Sequence, residues 1–366
     1  MKKSSRKAMR VMGSEGGQWT AGLDLGDRWG HYWIGDDQGN EVEAGRTKMT
    51  REALSAHFPP HRRLRIGIET GTHSNWVRTH LETLGHEVIV ANARELRAIT
   101  GSDRKSDPED ARKLALYVGV DSSILRPIQH RSMDAQQDLT ILRAREALVR
   151  ARTLLINAAR GLAKTLGHRL PSCNSRHFAT RCLETLPAGL KTSVGKLAEQ
   201  IENLTQQLEA MKAEIQSVAN KNYPETIRLQ AVHGVGPITA LTYVQTIEDP
   251  GRFEKSRDVG SFLGLRPRQS QSGKRDPQLG ITKAGNGRLR SLLVECAHLL
   301  LRKSAPDCML KRWGLRLCER GGKNARKRAL VAVARKLGVL LHKLWVTGAQ
   351  YDPLFGCHEM EQQSAA

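Results

Sequence analysis

Aromatic residues are scarce, at 4% of 366 positions, and cysteine is limited to six. The first shortage argues against a dedicated single-strand binder, which stacks successive bases on aromatic rings. The cysteines (Cys173, Cys182, Cys296, Cys308, Cys318 and Cys357) form no C-x2-C or C-x4-C pair, which argues against a zinc ribbon or finger. No apolar run reaches the roughly 18 residues of a membrane span. The longest candidate, 329–346, is cut by Arg335, Lys336 and Lys343. The opening MKKSSRKAMRVMGSEGG is basic but has no apolar core behind the charges, so 1–17 reads as a flexible tail rather than a signal peptide. Without a secretion signal the thiols are expected reduced, in the cytoplasm. Acid is also in short supply: 37 Asp and Glu face 58 Lys and Arg, a net charge of +21. What is present is apolar material for real cores, 39% of the chain, so this is not a disordered polycation. A polyanionic partner is expected, nucleic acid foremost.

Uneven composition divides the chain. Trp19, Trp29, Trp33 and Trp76 lie early, Trp313 and Trp345 late, and between Val118 and Asn222 the only aromatic is Phe178. The first segment, 18–125, alternates. Strands are expected at Trp19–Leu25, His31–Ile34, Glu41–Gly45, Leu64–Glu69 and Glu87–Ala91. Helical spacing runs from His73 to Leu84 and from Asp107 to Tyr117. The order β-β-β-α-β-α-β-α suits a mixed sheet with helices on its faces. In 126–222, Val194, Leu197, Ile201, Leu204, Leu208, Met211, Ile215 and Val218 step by threes and fours, the pattern of a coiled-coil seam. Upstream, Ile141, Leu148, Leu155 and Leu162 recur every seven, with Ala144, Ala151 and Ala158 three residues after the first three. Two long helices are expected, packed as an antiparallel hairpin or paired between subunits. A mainly helical segment, 223–350, and a polar tail, 351–366, complete the chain.

Carboxylates stand at costly places. Asp24 lies inside a strand and Glu69 ends another, where burial is unfavourable without compensation. Asp107 and Asp110 share a helix face. Four acids brought together repel unless a cation lies between them, and oxygen donors of this kind suit Mg²⁺ or Mn²⁺. Two such ions support phosphoryl transfer. The competing reading takes Asp107-Pro108-Glu109-Asp110 as a helix start with Asp107 as N-cap, and Asp24 and Glu69 as turn residues.

Two features of the last segment suit phosphates. His233-Gly234-Val235-Gly236-Pro237 looks like the turn of a helix-hairpin-helix, where Gly234 and Gly236 let backbone N–H groups approach a phosphate; an ordinary inter-helix turn fits as well. Between Arg266 and Arg290 there are seven Lys or Arg and one acid, Asp276. Arg266, Arg268, Lys274, Arg275, Lys283, Arg288 and Arg290 thus make a cationic loop and helix start. It carries Ser270 and Ser272, and a serine needs such charge to act as a nucleophile. From Arg302 to Lys336 twelve cations meet two acids. Arg326, Lys327 and Arg328 are assigned to backbone contacts, as is Lys105, just ahead of the acids.

LDLGDRWGHYWI, IGIETGTH and KSDPEDARKLA together resemble the DEDD-type RNase H/RuvC-like domain of a family of insertion-sequence transposases that includes the Piv-type DNA invertases. FLGLRPRQSQSGKRDPQLGITKAGNGRLRSLL, 262–293, is similar to the serine-bearing C-terminal transposase domain of the same family. The resemblance implies that Asp24, Glu69, Asp107 and Asp110 form a metal-holding tetrad, with strands one and four as neighbours. It implies that Ser272 is the DNA-attacking nucleophile, with Ser270 as the fallback; the second glycine frequent in that family motif is replaced here by Lys274. The implied activity is cleavage and strand exchange of element ends and target DNA through a covalent serine link. A structured non-coding RNA would guide it, within a homodimer that assembles to a tetramer at the bacterial nucleoid. A RuvC-type nuclease with no role for the serine, a DNA invertase of the same family, and a non-catalytic nucleic-acid-binding protein are the alternatives.

Overall fold

The computed structural model describes residues 18–92, 106–271 and 279–355. The chain divides into two units, 1–134 and 135–366. In the first, strands β1 (Trp19–Asp24), β2 (Trp29–Gly35) and β3 (Glu41–Lys48) form an antiparallel meander. The turn after β2 closes because the Asp36 carboxylate accepts from the backbone of Gln38 and Asn40, while Gly39 takes φ +79°. Helix α1 (Arg51–His57) starts on a Thr50 cap and returns the chain for β4 (Leu64–Glu69). Helix α2 (Ser74–Thr83) leads to β5 (Glu87–Ala91), and helix α3 (Asp107–Val120) follows. The sheet order is β3-β2-β1-β4-β5, with β4 and β5 parallel to β1. This is the mixed sheet expected from the sequence, in an order consistent with an RNase H-like α/β domain.

Alternation sorts the faces of the sheet. Ala21, Leu23, Ile34, Ile66 and Ile68 bury against Leu54 of α1, Phe58 just after it, and Val77 and Leu81 of α2; each large apolar side chain so enclosed contributes about 1.5–3 kcal/mol. The opposite face carries Gly22 and Gly67, which are register partners on β1 and β4. There α3 lies on the sheet.

The second unit is helical: α4 (Met133–Thr165, which begins at the junction), α5 (Phe178–Thr185), α6 (Val194–Asn222), α7 (Glu225–Gln230), α8 (Pro237–Ile247), α9 (Val259–Phe262), α10 (Gly287–Leu300), α11 (Met309–Glu319) and α12 (Ala325–Thr347). Its largest core gathers Leu229, Tyr243, Leu263, Leu289, Leu293, Val333, Leu337 and Leu341 around α12. Leu139 and Leu142 of α4 share a cluster with Ile215 and Ala219 of α6 and Leu241 of α8. That cluster ties the long-helix region to the C-terminal segment within one unit. Ile156, Ala159 and Ala163 meet Val194, Ala198 and Ile201 at the other end, so α4 and α6 run in opposite directions, and Arg152 donates to Thr205 between the two clusters.

The buried stripe differs from the heptad pattern by one position. Ala198, Thr205 and Ala219 are buried beside Val194, Ile201, Leu208 and Ile215, whereas Leu197, Leu204, Met211 and Val218 are not fully buried. On α4 the buried residues are Leu139, Leu142, Ile156, Ala159 and Ala163. Ile141, Leu148 and Leu155 are not fully buried, and Leu162 is 46% exposed. Small side chains at the crossing let the helices approach closely and leave the long ones flanking the contact.

Candidate metal centre and cationic loop

A glycine pair sets the position of α3. A Cβ on Gly22 would stand 1.8 Å from the Ala111 carbonyl oxygen, and one on Gly67 would stand 3.0 Å from that of Leu114. Backbone therefore meets backbone, with Trp33 closing over Ala111 and Ala115. Ser106 is the N-cap of α3, and Pro108, Glu109 and Asp110 follow Asp107 in the first turn. Asp107 is thus the first helical residue rather than the cap. The positive end of the helix dipole favours acid there. Asp107, one turn before Ala111, and Asp110, next to it, are thereby carried toward Asp24 at the end of β1.

The strands supply the rest. One residue beyond the Leu23–Ile68 pair, Asp24 and Glu69 end β1 and β4 side by side, and Asp24 is the register partner of His31 on β2. Donor atoms of Asp24, His31 and Asp107 all lie within 4.8 Å of one another, and His31 Nδ1 is 3.6 Å from Asp107 Oδ2. Asp24 has its carboxyl pushed up to about 6, by burial first and then by the charges of Asp107, Asp110 and Glu69, while His31 opposes them. The other three expected acids thus all act on Asp24, and the four come from three separated stretches of sequence. Glu69 and Asp110 add negative charge at Asp24 but are not in the set of donor atoms that lie within 4.8 Å of one another; that set, Asp24, His31 and Asp107, fits a divalent cation. His31 was not singled out from the sequence. Its signal was register: counting back from the meander turn places it opposite Asp24. Beside it a groove of about 550 Å³ is lined by His31, Tyr32, Trp33, Arg46, Glu109 and Arg112, among others.

In the second unit the cationic loop rises from a clamped base. Arg268 N donates to the Gly280 carbonyl at 3.0 Å, Thr282 N to Arg266 at 2.9 Å and Lys283 N to Gly264 at 3.1 Å. Gly264 and Gly285 adopt φ +67° and +72°, each with carbonyl oxygens 2.2 Å from where a Cβ would be. Lys283 itself has φ +57°. Asn286 caps α10, accepting from Arg288 N and Leu289 N and donating to Thr246. The ITKAGN stretch is therefore a clamp and a helix cap. Arg290 belongs to the same clamp, with its guanidinium on the carbonyls of Leu263 and Ala284. Arg266, Arg268, Ser270 and Lys283 are exposed. Ser272, Lys274 and Arg275 lie outside the described residues, as does Lys105.

Gly234 takes φ +85° against Cys296 and Leu299, and Gly236 is the N-cap residue of α8. A turn between two helices is thus in place. Arg326, Lys327 and Arg328 are exposed at the start of α12. A further cation emerges at Arg145 of α4. Burial depresses its pKa, Arg288 depresses it further, and its Nε has no hydrogen-bond partner among the described residues.

Comparison with known proteins agrees with both halves. Residues 21–168 match a transposase family model of the DEDD, IS110 type, and residues 227–313 match the model described as the transposase IS116/IS110/IS902 family. The transposase for insertion sequence element IS1111A of Coxiella burnetii is 31% identical over 275 residues, 73% of each chain. The chain belongs to the IS116/IS110/IS902 transposase family. A second relative of this transposase serves insertion sequence element IS1328 of Yersinia enterocolitica; it is 27% identical over 297 residues, 77% of this chain and 84% of the relative. The transposase is accordingly an enzyme of DNA transesterification, and DEDD membership implies use of a divalent metal. Among the described residues no helix of the transposase is long and apolar enough to cross a membrane.

Proposed function

We propose that the transposase cleaves and exchanges DNA strands through a covalent link to Ser272, assisted by Mg²⁺ or Mn²⁺ held by Asp24, Glu69, Asp107 and Asp110. The observation that carries this reading is the approach of the Asp24 and Asp107 donor atoms to within 4.8 Å where β1 meets the start of α3, with Glu69 ending the neighbouring parallel strand β4. A bound divalent ion would supply charge neutralisation at the scissile phosphate. The chain's own residues do the remainder. The hydroxyl of Ser272 attacks phosphorus, forming a serine Oγ–P bond. The phosphodiester P–O bond breaks and leaves a free deoxyribose hydroxyl. Reversal of this step with a hydroxyl from another strand completes exchange and frees the serine. The side chains of Lys274, Arg275 and Lys283 offset the charge that develops on the phosphoryl oxygens, while Arg266, Arg268 and Arg288 hold the strand by its phosphates. Arg326, Lys327, Arg328, Lys105 and the Gly234–Gly236 turn, read as a helix-hairpin-helix, add contacts to DNA or RNA backbone. Arg290 serves this surface indirectly, by bracing the loop base.

Base selection is assigned to a structured non-coding RNA, because the expected protein contacts go to phosphates and carry no sequence code. Exposed Leu162 and the half-buried Leu148 on α4 support a second copy of the chain as the partner of α4, giving a homodimer and then a tetramer. The expected site of action is the bacterial nucleoid.

The test is a covalent trap. Full-length transposase incubated with element-end DNA and Mg²⁺ should give a denaturation-stable protein–DNA band, absent in Ser272→Ala and weak in Glu69→Gln. An unchanged band in Ser272→Ala transfers the role to another residue such as Ser270. Nicked DNA with no adduct in the native protein points instead to a RuvC-type nuclease.

A further inference from the structure

From the pairing of β2 with β1 we infer that His31 is a nitrogen ligand of the metal centre, and that it tilts the site from Mg²⁺ toward Mn²⁺. The inference rests on the four-acid reading above. Strand pairing fixes the histidine: β2 is locked to β1 with Asp24 opposite His31, and to β3 with Arg46 opposite His31. The imidazole therefore shares its face of the sheet with Asp24 and with the seat of α3. Its Nδ1 lies 3.6 Å from Asp107 Oδ2, with the histidine side chain 21% exposed. Neighbouring donors on one octahedral ion at about 2.1 Å stand roughly 3 Å apart, so a small closing movement brings both onto the same ion. Among the described residues no hydrogen bond engages the ring in any other task. Ser55 and Arg51 occupy His80, and Phe58 and Leu64 occupy His86; both of those imidazoles of the unit are tied into the fold, and His31 is not.

The chemistry of the donor decides the metal. Mg²⁺ keeps an all-oxygen shell and gives up water reluctantly. Imidazole nitrogen suits transition ions, and a carboxylate set with one nitrogen still accepts Mn²⁺. A site of Asp24, Asp107 and their acidic neighbours alone would hold either ion on oxygen. With His31 added, the preference moves.

Tag-free full-length transposase loaded with Mn²⁺ should show ¹⁴N coupling in pulsed electron paramagnetic resonance, and His31→Gln should remove it. Calorimetric titration of Mn²⁺ and Mg²⁺ gives the affinity ratio. It should fall about tenfold or more in His31→Gln, the scale seen when even an outer partner of a metal ligand is lost. His31→Asp, which puts oxygen where nitrogen was, should keep ion binding and equalise the two metals. Absence of ¹⁴N coupling in the native protein, or a ratio unchanged in both variants, overturns the role of His31. Asp24→Asn separates the two readings. If it abolishes Mn²⁺ binding while His31→Gln changes nothing, the four-acid centre stands without the histidine; if Asp24→Asn binds Mn²⁺ like the native chain, the centre itself is refuted and His31 with it.

Discussion

Asp24 shows at a single residue how a strand-end carboxylate opposes the fold that holds it. Its ordinary pKa of 3.8 rises to about 6 in the folded chain, through burial and then through the charges of Asp107, Asp110 and Glu69. An acid with a raised folded pKa binds more protons folded than unfolded across that interval. Stability of the metal-free protein therefore falls as pH rises from about 4 to 6 and stays lower above it. Asp24→Asn removes this loss. We expect thermal melts in chelator to give the variant the higher midpoint at pH 7 and nearly the same midpoint as the native chain near pH 4. Added Mg²⁺ should raise the native midpoint at pH 7 and leave the variant's unchanged. A variant that melts lower than the native chain at pH 7 in chelator contradicts the electrostatic account. Asp24 and Glu69 were noticeable in the sequence because a carboxylate at a strand end needs a reason. His31 was not, because an imidazole in an amphipathic strand is unremarkable until register places it opposite Asp24.

At the scale of elements, the site depends on how closely α3 lies on the sheet. Gly22 and Gly67 permit that approach, and their importance is invisible in LDLG and IGIE read as strands alone. Gly22→Val forces side-chain atoms into the Ala111 carbonyl. Overpacking of this kind costs about 1–3 kcal/mol, and the helix can relieve it only by carrying Asp107 and Asp110 away from Asp24. Urea unfolding should show that loss, and the Mg²⁺-dependent rise in stability should disappear with it. A variant that unfolds at the native urea midpoint and keeps its Mg²⁺ response contradicts this packing. The strands and the long helices followed from alternation and periodicity, as did the order of the meander. The buried stripe of α4 and α6 did not, since a heptad count favours large side chains whereas close helix contact favours Ala198, Thr205, Ala159 and Ala163. The exposed leucine gives a separate prediction: Leu162→Glu should convert a sedimenting dimer to monomer while leaving the helical circular dichroism intact. An unchanged sedimentation coefficient removes this face from the assembly.

For the whole molecule, a net charge of +21 sets how it meets DNA. Affinity should fall linearly in log–log form with salt, with a slope near 0.9 for each phosphate neutralised. Replacing Arg326, Lys327 and Arg328 by Ala should lessen the slope by about 0.9 for each phosphate left without its cation, equally for element and unrelated DNA. A variant with the native slope places those cations away from the strand. Composition announced this partner from the start, while the specific activity became legible only through the motifs at each end of the chain.

If carboxylates from three separated stretches of sequence converge on a divalent ion, calorimetric titration of Mn²⁺ at pH 7 into the native transposase, Asp24→Asn and Glu69→Gln will show it most directly. The native chain should bind saturably, with about 2.7 kcal/mol of added stability at a hundredfold excess over the dissociation constant, and both variants should lose that binding. Equal binding by all three proteins would contradict that convergence.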